Sequence, residues 1–135
     1  MIVDTSALLS FFDRDEPSHQ AVADVLMNSR DALVVSPFVL AELDYLVGTR
    51  LGVDAEVSVL REVGGGAWDV ARFDAAETLQ AAGVVDRYRD QRIGLADASN
   101  VVLARRYATR RIATLDRRHF EVLRPLQGGR FSVVP

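Results

Sequence analysis

The sequence contains no cysteine, no lysine and no long apolar run. Without cysteine the chain can form no disulfide framework, no thiolate metal site and no cysteine nucleophile. No apolar segment approaches the roughly 20 residues that a membrane-spanning helix needs. The chain has only two histidines and neither a G-x-S-x-G nor an H-E-x-x-H motif, which excludes the usual serine hydrolases and zinc proteases. Its glycine run, Gly64-Gly65-Gly66, matches neither a P-loop nor a G-x-G-x-x-G fingerprint.

The composition that remains is typical of a folded globular protein. The 135 residues are 49% hydrophobic and 26% charged, a balance that excludes long disorder and suits one hydrophobic core. We find no internal repeat and no linker, and therefore predict a single domain over residues 1–135. Met1-Ile2-Val3-Asp4 has an acid where a secretory signal would carry a basic stretch, so we expect a cytoplasmic protein.

Charge is distributed unevenly along the chain. Residues 1–80 carry 5 arginines against 14 acidic residues, a net charge of −9, whereas residues 81–135 carry 11 arginines against 5 acidic residues, a net charge of +6. All 16 basic residues are arginine, the side chain best suited to bidentate phosphate contacts. Residues 81–135 are therefore candidates for contact with phosphate groups. The alternative is that these arginines form a solvated basic face without a ligand.

Short apolar strands alternate with segments of helical length. Strands are predicted over residues 1–4, 33–35, 68–73, 111–114 and 131–134, the last of them at an edge. Helices are predicted after a Thr5-Ser6 cap, and over residues 18–28, 37–47 with Gly48 at the end, 54–63, 74–89 and 95–108. This order predicts a three-layer α/β/α sandwich around a mainly parallel sheet of about five strands. Such folds bind ligands beyond the carboxyl ends of the strands.

Three aspartates are predicted to lie at that edge of the sheet. Asp4 and Asp116 each follow an apolar strand, and Asp97 lies at the start of a helix, where the helix dipole favours an anion. Taken singly, each is more simply explained as a turn or cap residue.

Glu42 differs because its neighbours one helical turn away are apolar: Phe38, Val39, Tyr45 and Leu46. We therefore expect a buried carboxylate, which needs an arginine, hydrogen-bond donors or a metal, since burial of an unpaired charge costs several kcal/mol. Asp44 has similar neighbours, so periodicity does not single out Glu42. A structural ion pair explains the pattern as well as a metal site does.

Four acid-containing segments follow one another along the chain: residues 2–8 (IVDTSAL), 37–43 (PFVLAEL), 95–99 (LADAS) and 113–120 (ATLDRRHF). In this order and at this spacing they resemble the PIN-domain ribonucleases, and most closely the VapC toxins of bacterial toxin–antitoxin pairs. The resemblance extends over essentially the whole chain. It implies that the acids Asp4, Glu42, Asp97 and Asp116 form the catalytic site around one or two Mg²⁺ or Mn²⁺ ions, with Asp4 and Asp97 as direct ligands.

Physical chemistry is consistent with that implication. Four carboxylates in one pocket repel each other unless divalent cations neutralise them, and hard oxygen ligands suit Mg²⁺ or Mn²⁺. The resemblance implies an endoribonuclease, a phosphodiester hydrolase in which metal-activated water cleaves tRNA or the sarcin–ricin loop of the large ribosomal RNA. The products would carry a 5′-phosphate and a 3′-hydroxyl.

Further residues are candidates for supporting roles. The hydroxyls of Ser6 and Thr114 each lie two residues from one of the aspartates and would orient metal-bound water. Arg92, Arg117 and Arg118 are candidates for contact with the RNA backbone, where they would add salt-dependent affinity without sequence specificity.

The resemblance also implies partners: a second copy in a homodimer, and a VapB-type antitoxin that inhibits the toxin in a heterotetramer or larger complex. A non-catalytic metal- or RNA-binding PIN-like regulatory module is the alternative from another functional class. Response-regulator receivers and haloacid-dehalogenase-like phosphatases also place an aspartate at a strand end, but both need a lysine that this sequence lacks.

Overall fold

The computed structural model describes all 135 residues, which form five strands and seven helices. The strands are β1 (Ile2–Val3), β2 (Val34–Val35), β3 (Asp69–Val70), β4 (Arg111–Ala113) and β5 (Ser132–Val134). The helices are α1 (Thr5–Phe12), α2 (His19–Met27), α3 (Pro37–Leu51), α4 (Val53–Glu62), α5 (Ala75–Arg87), α6 (Leu95–Arg106) and α7 (Arg117–Val122). None of the seven helices combines the length and hydropathy that a membrane crossing requires.

The strands form one parallel sheet in the order β3-β2-β1-β4-β5. β1 lies at the centre, where Ile2 is opposite Val34 of β2 and Ile112 of β4. Parallel strands need long crossover connections, and the helices between the strands supply them. The predicted α/β/α sandwich is confirmed, with β5 as the predicted edge strand.

Two hydrophobic cores lie on opposite faces of the sheet. Successive strand residues point to opposite faces, so Val3 and Val35 pack against α1 to α4, while Ile2, Val34 and Ile112 pack against α5, α6 and α7. All five side chains are buried, and each contributes about 1.5–3 kcal/mol through removal of apolar surface from water. Continuous apolar runs in the strands are what a parallel sheet covered on both faces requires.

The end of α3 differs from the prediction. The helix passes through Gly48 and reaches Leu51, and Gly52 follows it with a left-handed φ of 88°. Gly48 instead allows close contact with α4, because a Cβ atom there would lie 2.9 Å from Oε2 of Glu56. The prediction that Gly48 ends the helix was wrong because it considered conformational preference and not helix packing.

Other local predictions also need correction. α5 ends at Arg87, and the third strand is confined to Asp69–Val70. The Thr5-Ser6 cap is wrong, since both residues lie inside the first turn of α1. The sequence did not predict α7, a short helix whose backbone N–H at His119 donates to the Asp116 carboxylate at 3.2 Å.

Candidate active site

The two central strands bring acidic residues to one edge of the sheet. Asp4 directly follows β1 and donates its backbone N–H to the carbonyl of Ala113 in β4 at 2.9 Å. Asp116 follows β4, Asp97 lies in the first turn of α6, and Glu42 lies in α3. All four acids line a single cleft of about 450 Å³. Its other polar lining residues are Thr5, Ser6, Arg50, Arg92 and His119.

Asp4 is the most deeply placed of these acids, with only 5% of the residue exposed. Its Oδ2 accepts hydrogen bonds from the hydroxyls of Thr114 at 2.8 Å and Ser6 at 3.1 Å. Its Oδ1 accepts one from Nδ2 of Asn100 at 3.0 Å. All three donors are neutral, so they fix the carboxylate without compensating its charge.

The hydroxyl of Thr114 also connects Asp4 to the loop that carries Asp116. It accepts the backbone N–H of Asp116 at 3.0 Å, and the Ser6 hydroxyl accepts that of Leu115 at 2.9 Å. The two hydroxyls lie 3.1 Å apart. Thr114 is fully buried and does not line the cleft, whereas Ser6 does. Both predicted hydroxyls therefore contact Asp4, and they also hold the β4 loop against β1.

Burial and mutual repulsion weaken the acidity of two of the four carboxyls. Burial raises the pKa of Asp4, the hydrogen bonds from Thr114 and Ser6 oppose that rise, and the nearby Glu42 charge adds to it. The pKa of Asp97 rises to about 6, chiefly because of burial and then because of the charge on Asp4. Without a cation, the cleft therefore disfavours the fully ionised state of these groups.

Glu42 lies at the mouth of the cleft and is exposed, which contradicts the expected burial. The Thr5 hydroxyl donates to its Oε2 at 2.5 Å. The expectation failed because apolar neighbours need not be buried: Tyr45, one turn further along α3, is 70% exposed. Glu42 thus needs no compensating partner for burial, although it does face the other acids.

His119 lies between two of the acids, a position that the sequence did not indicate. Its Nδ1 is 3.1 Å from Oδ2 of Asp97 and 3.1 Å from Oδ2 of Asp116. The positive charge of a protonated imidazole there would lower the pKa of Asp97, opposing the effect of burial. The position of His119 next to Asp116 could have been predicted from their i,i+3 spacing, since Asp116 caps the helix that contains His119.

The three arginines predicted to contact the RNA backbone differ in where they lie. Arg92 lines the cleft, but Arg117 and Arg118 do not, and Arg117 instead donates to the carbonyl of Pro135. Arg50 also lines the cleft, which the sequence did not predict, and its Nη1 lies 3.8 Å from Oε1 of Glu16. Asn100 was also missed, although a polar residue amid the buried apolar residues of α6 was a usable signal.

The donor set fits a divalent cation. Asp4 is a buried carboxylate with no arginine partner, and four acids line the cleft against two arginines. Carboxylate oxygens suit Mg²⁺ or Mn²⁺, and Mg²⁺ usually binds one or two carboxylates while it keeps several waters. No group of three His, Asp or Glu side chains is arranged to hold an ion by itself. Asp4 and Asp97 are the candidate ligands because they are the most buried of the four acids.

The sequence and the fold of this chain are similar to those of known proteins. The PIN domain family model matches residues 1–124. Ribonuclease VapC26 of Mycobacterium tuberculosis is 66% identical over 135 residues, which cover 100% of both chains. Among solved structures, VapC20 of M. tuberculosis, a toxin that cleaves the sarcin–ricin loop, has a TM-score of 0.80 at 20% identity, over 86% of this chain and 89% of its own.

VapBC2 of Rickettsia felis, solved with a DNA fragment from its promoter, has a TM-score of 0.70 at 17% identity and covers 99% of this chain and 98% of its own. These two structural likenesses support the fold, whereas the family model and the 66% identity decide membership. The chain belongs to the PIN-domain family and, within it, to the VapC group.

Proposed function

We propose that this protein is a metal-dependent endoribonuclease toxin that hydrolyses phosphodiester bonds in structured RNA. The observation that carries the proposal is the buried Asp4 carboxylate, which neutral donors hold at the floor of a cleft lined by three further acids. The neutral donors orient this carboxylate without neutralising it, and a bound divalent ion would compensate the charge that burial makes costly.

The acidic cleft can supply the parts that this hydrolysis needs. A bound Mg²⁺ or Mn²⁺ would acidify water and stabilise negative charge on the phosphate. Asp4 and Asp97 would hold that ion, and Asn100, Thr114 and Ser6 fix the orientation of Asp4.

The remaining lining residues would act on the nucleophile and the substrate. Glu42 and Asp116, which line the same cleft as Asp4, would orient the attacking water and accept its proton. Attack on phosphorus with departure of the 3′-oxygen leaves a 5′-phosphate and a 3′-hydroxyl. Arg92, in the cleft wall, is the candidate contact for the RNA backbone.

The substrate class is structured RNA in the cytoplasm, either tRNA or the sarcin–ricin loop of the large ribosomal RNA. The fold shared with VapC20, which cleaves that loop, supports the second of these. The test is to incubate the protein with bulk tRNA and with ribosomes in Mg²⁺ or Mn²⁺, and to map new 5′ ends. One discrete cut that EDTA abolishes is expected. If a divalent ion binds and no RNA is cut, after removal of any residual antitoxin, a non-catalytic module replaces this proposal.

Asn100 provides a test of how Asp4 is held. We expect Asn100→Leu to lower Mn²⁺ affinity and the cleavage rate by about 10- to 100-fold, the usual cost of removing a residue that orients a metal ligand. The fold should persist, because leucine has the same branched shape as asparagine and the change also removes the Oδ1 atom that is buried without a partner. Electron paramagnetic resonance of Mn²⁺ measures the affinity, and thermal unfolding of the metal-free protein measures the fold. Unchanged Mn²⁺ affinity would show that the Asn100 contact is incidental.

A VapB-type antitoxin is the proposed regulatory partner, in a complex of two toxin copies with their antitoxins. The fold shared with the VapBC2 structure supports such a partner. α3 and α4 also expose apolar side chains, among them Tyr45 at 70% and Val53 at 66%. Since residues 1–80 carry a net charge of −9, a partner that is both apolar and basic suits this surface.

We accordingly expect a basic, apolar peptide from the C-terminal part of the cognate antitoxin to inhibit RNA cleavage. Val53→Glu, which places a charge on the exposed apolar surface, should weaken that inhibition while cleavage by the free toxin continues. Cleavage assays over a range of peptide concentrations measure both. An inhibition constant that Val53→Glu leaves unchanged would locate the peptide elsewhere.

A further inference from the structure

A second groove, outside the acidic cleft, lies on the outer face of α5 and α6. Its volume is about 260 Å³, and Arg87, Arg105, Arg124, Tyr88 and Gly83 are among its lining residues. No acidic side chain lines it. A groove lined by three arginines and no acid is a candidate site for an anion.

The arginines of the groove differ from their neighbours in having no carboxylate partner. Arg89 and Arg106, close by in sequence, form ion pairs with Asp86 and Glu77. Arg87 and Arg105 are exposed, and neither forms an ion pair within the chain. The guanidinium of Arg87 lies over the Tyr88 ring, 5.6 Å from its centre, and the N–H groups of both arginines remain free to donate to an external ligand.

Arg124 is held rigidly beside these two. Its Nη1 donates to the carbonyls of Glu121, Val122 and Leu123 at 2.7, 3.0 and 3.1 Å. Its backbone N–H donates to the Tyr88 hydroxyl at 3.2 Å. An arginine that is already fixed loses little side-chain entropy on binding, and the Nη2 and Nε groups of Arg124, which are not engaged by these carbonyls, can donate to the oxygens of a phosphate.

Gly83 leaves the floor of the groove bare. It lies inside α5, where glycine weakens a helix relative to alanine. Packing does not require it, because a Cβ atom there would meet no heavy atom within 4 Å. Its effect on the structure is to let a ligand approach the helix backbone closely.

The groove is connected to the acidic cleft by α6 and by the segment after α5. Asp97 and Arg105 are eight residues apart on α6, which corresponds to about 12 Å along the helix axis. Arg92, in the cleft wall, comes four residues after Tyr88. An RNA backbone longer than a few nucleotides can therefore contact both places.

We propose that this groove is a second binding site for the phosphodiester backbone of the RNA substrate, occupied by a part of the RNA distant from the scissile bond. The inference rests on the proposed ribonuclease function. It would give folded RNA an advantage over short fragments, and its contribution would be sensitive to salt but not to sequence.

The test uses Arg87→Gln/Arg105→Gln in the full-length protein, with Arg30→Gln/Arg61→Gln as the control of equal charge change. The two control arginines are exposed, form no ion pair and lie outside the groove. Affinity for bulk tRNA and for a sarcin–ricin loop hairpin is measured with Asp4→Asn added to every protein, so that no RNA is cut. The groove variant should lose about ten-fold in affinity, and its plot of log affinity against log salt should flatten by about two units.

A second variant tests the floor of the groove. Gly83→Leu should raise the melting temperature, because leucine favours a helix, and should nevertheless weaken RNA binding. Equal RNA affinity of the groove and control variants would overturn the proposal. A change in the oligomeric mass of the groove variant without a change in its RNA affinity would also overturn it, because the groove would then be a contact with a second copy of the chain. Failure of the ribonuclease proposal would give a different result, because the wild-type protein would then cut no RNA.

Discussion

Asp4→Asn is expected to abolish RNA cleavage, with a rate loss of at least about a thousand-fold, while the protein stays folded. Such a loss corresponds to roughly 4 kcal/mol of transition-state stabilisation, which is within the range that a metal ion provides by charge stabilisation. Asp4 is the acid on which the proposed metal site depends most, because it is 5% exposed and forms no ion pair with an arginine. Asparagine keeps its shape and removes its charge.

The hydrogen bonds around Asp4 explain why the fold should survive this change. The amide oxygen of asparagine can accept from Nδ2 of Asn100, as Oδ1 of Asp4 does. Its amide nitrogen would face the hydroxyls of Thr114 and Ser6, which can rotate and accept instead of donating. The melting temperature of the metal-free variant should therefore equal or exceed that of the wild type, because a costly buried charge has been removed.

Cleavage of the mapped RNA and thermal unfolding measure the two halves of this prediction. Asp90→Asn is the matched control, since Asp90 is exposed and lies outside the acidic cleft. Cleavage by Asp4→Asn within ten-fold of the wild-type rate would remove Asp4 from the proposed site. A large fall in its melting temperature would instead show that the carboxylate is needed for folding.

Topology predicted that Asp4 and Asp116 lie at one edge of the sheet, and the family resemblance predicted that all four acids meet there. Asp4 and Asp116 follow strands whose apolar runs were recognisable, and the carboxyl ends of parallel strands share one edge. The neighbouring positions of β1 and β4 could not be read from the sequence, because strand order depends on packing between segments more than 100 residues apart. The family resemblance supplied what local patterns lacked, since it gave the four acids as one set.

Side-chain environments were predicted less well than positions. Glu42 was placed correctly on α3, but its exposure was not, because the apolar residues around it include the solvent-facing Tyr45. The tertiary fold alone brings Asn100 to Asp4 and His119 to Asp97: the hydrogen bond from Asn100 to Asp4 joins residues 96 positions apart. Arg117, predicted as a contact for the RNA backbone, lies at the start of the short helix α7 and donates to the carbonyl of Pro135.

Removal of divalent ions is expected to make the stability of the protein fall as pH rises. The pKa of Asp97 is about 6 in the folded, metal-free protein against an ordinary value of 3.8. A folded-state pKa above the unfolded one means that stability is complete below about pH 4 and is lost as pH rises through about 6. The elevated pKa of Asp4, which burial causes, acts in the same direction.

Asp97 alone accounts for a loss of about 3 kcal/mol over this range, since one pKa unit corresponds to about 1.4 kcal/mol. For a domain of this size, such a loss lowers the melting temperature by on the order of 10 °C. Asp97→Asn should therefore match the wild type near pH 4 and be more stable than it at pH 7.5 in EDTA. Thermal unfolding from pH 4 to pH 8 measures this difference, with Asp90→Asn as the control that should follow the wild type.

Divalent ions should reverse the loss, and this reversal links stability to the proposed chemistry. An ion that binds the ionised carboxylates stabilises only the folded state, by an amount that grows with its concentration. Mg²⁺ or Mn²⁺ should thus raise the melting temperature at pH 7.5, raise it far less at pH 4.5, where a proton occupies Asp97, and leave Asp4→Asn unaffected. An equal rise at both pH values would mean that the ions bind outside the acidic cleft, and the repulsion among its carboxylates would then need another counterion.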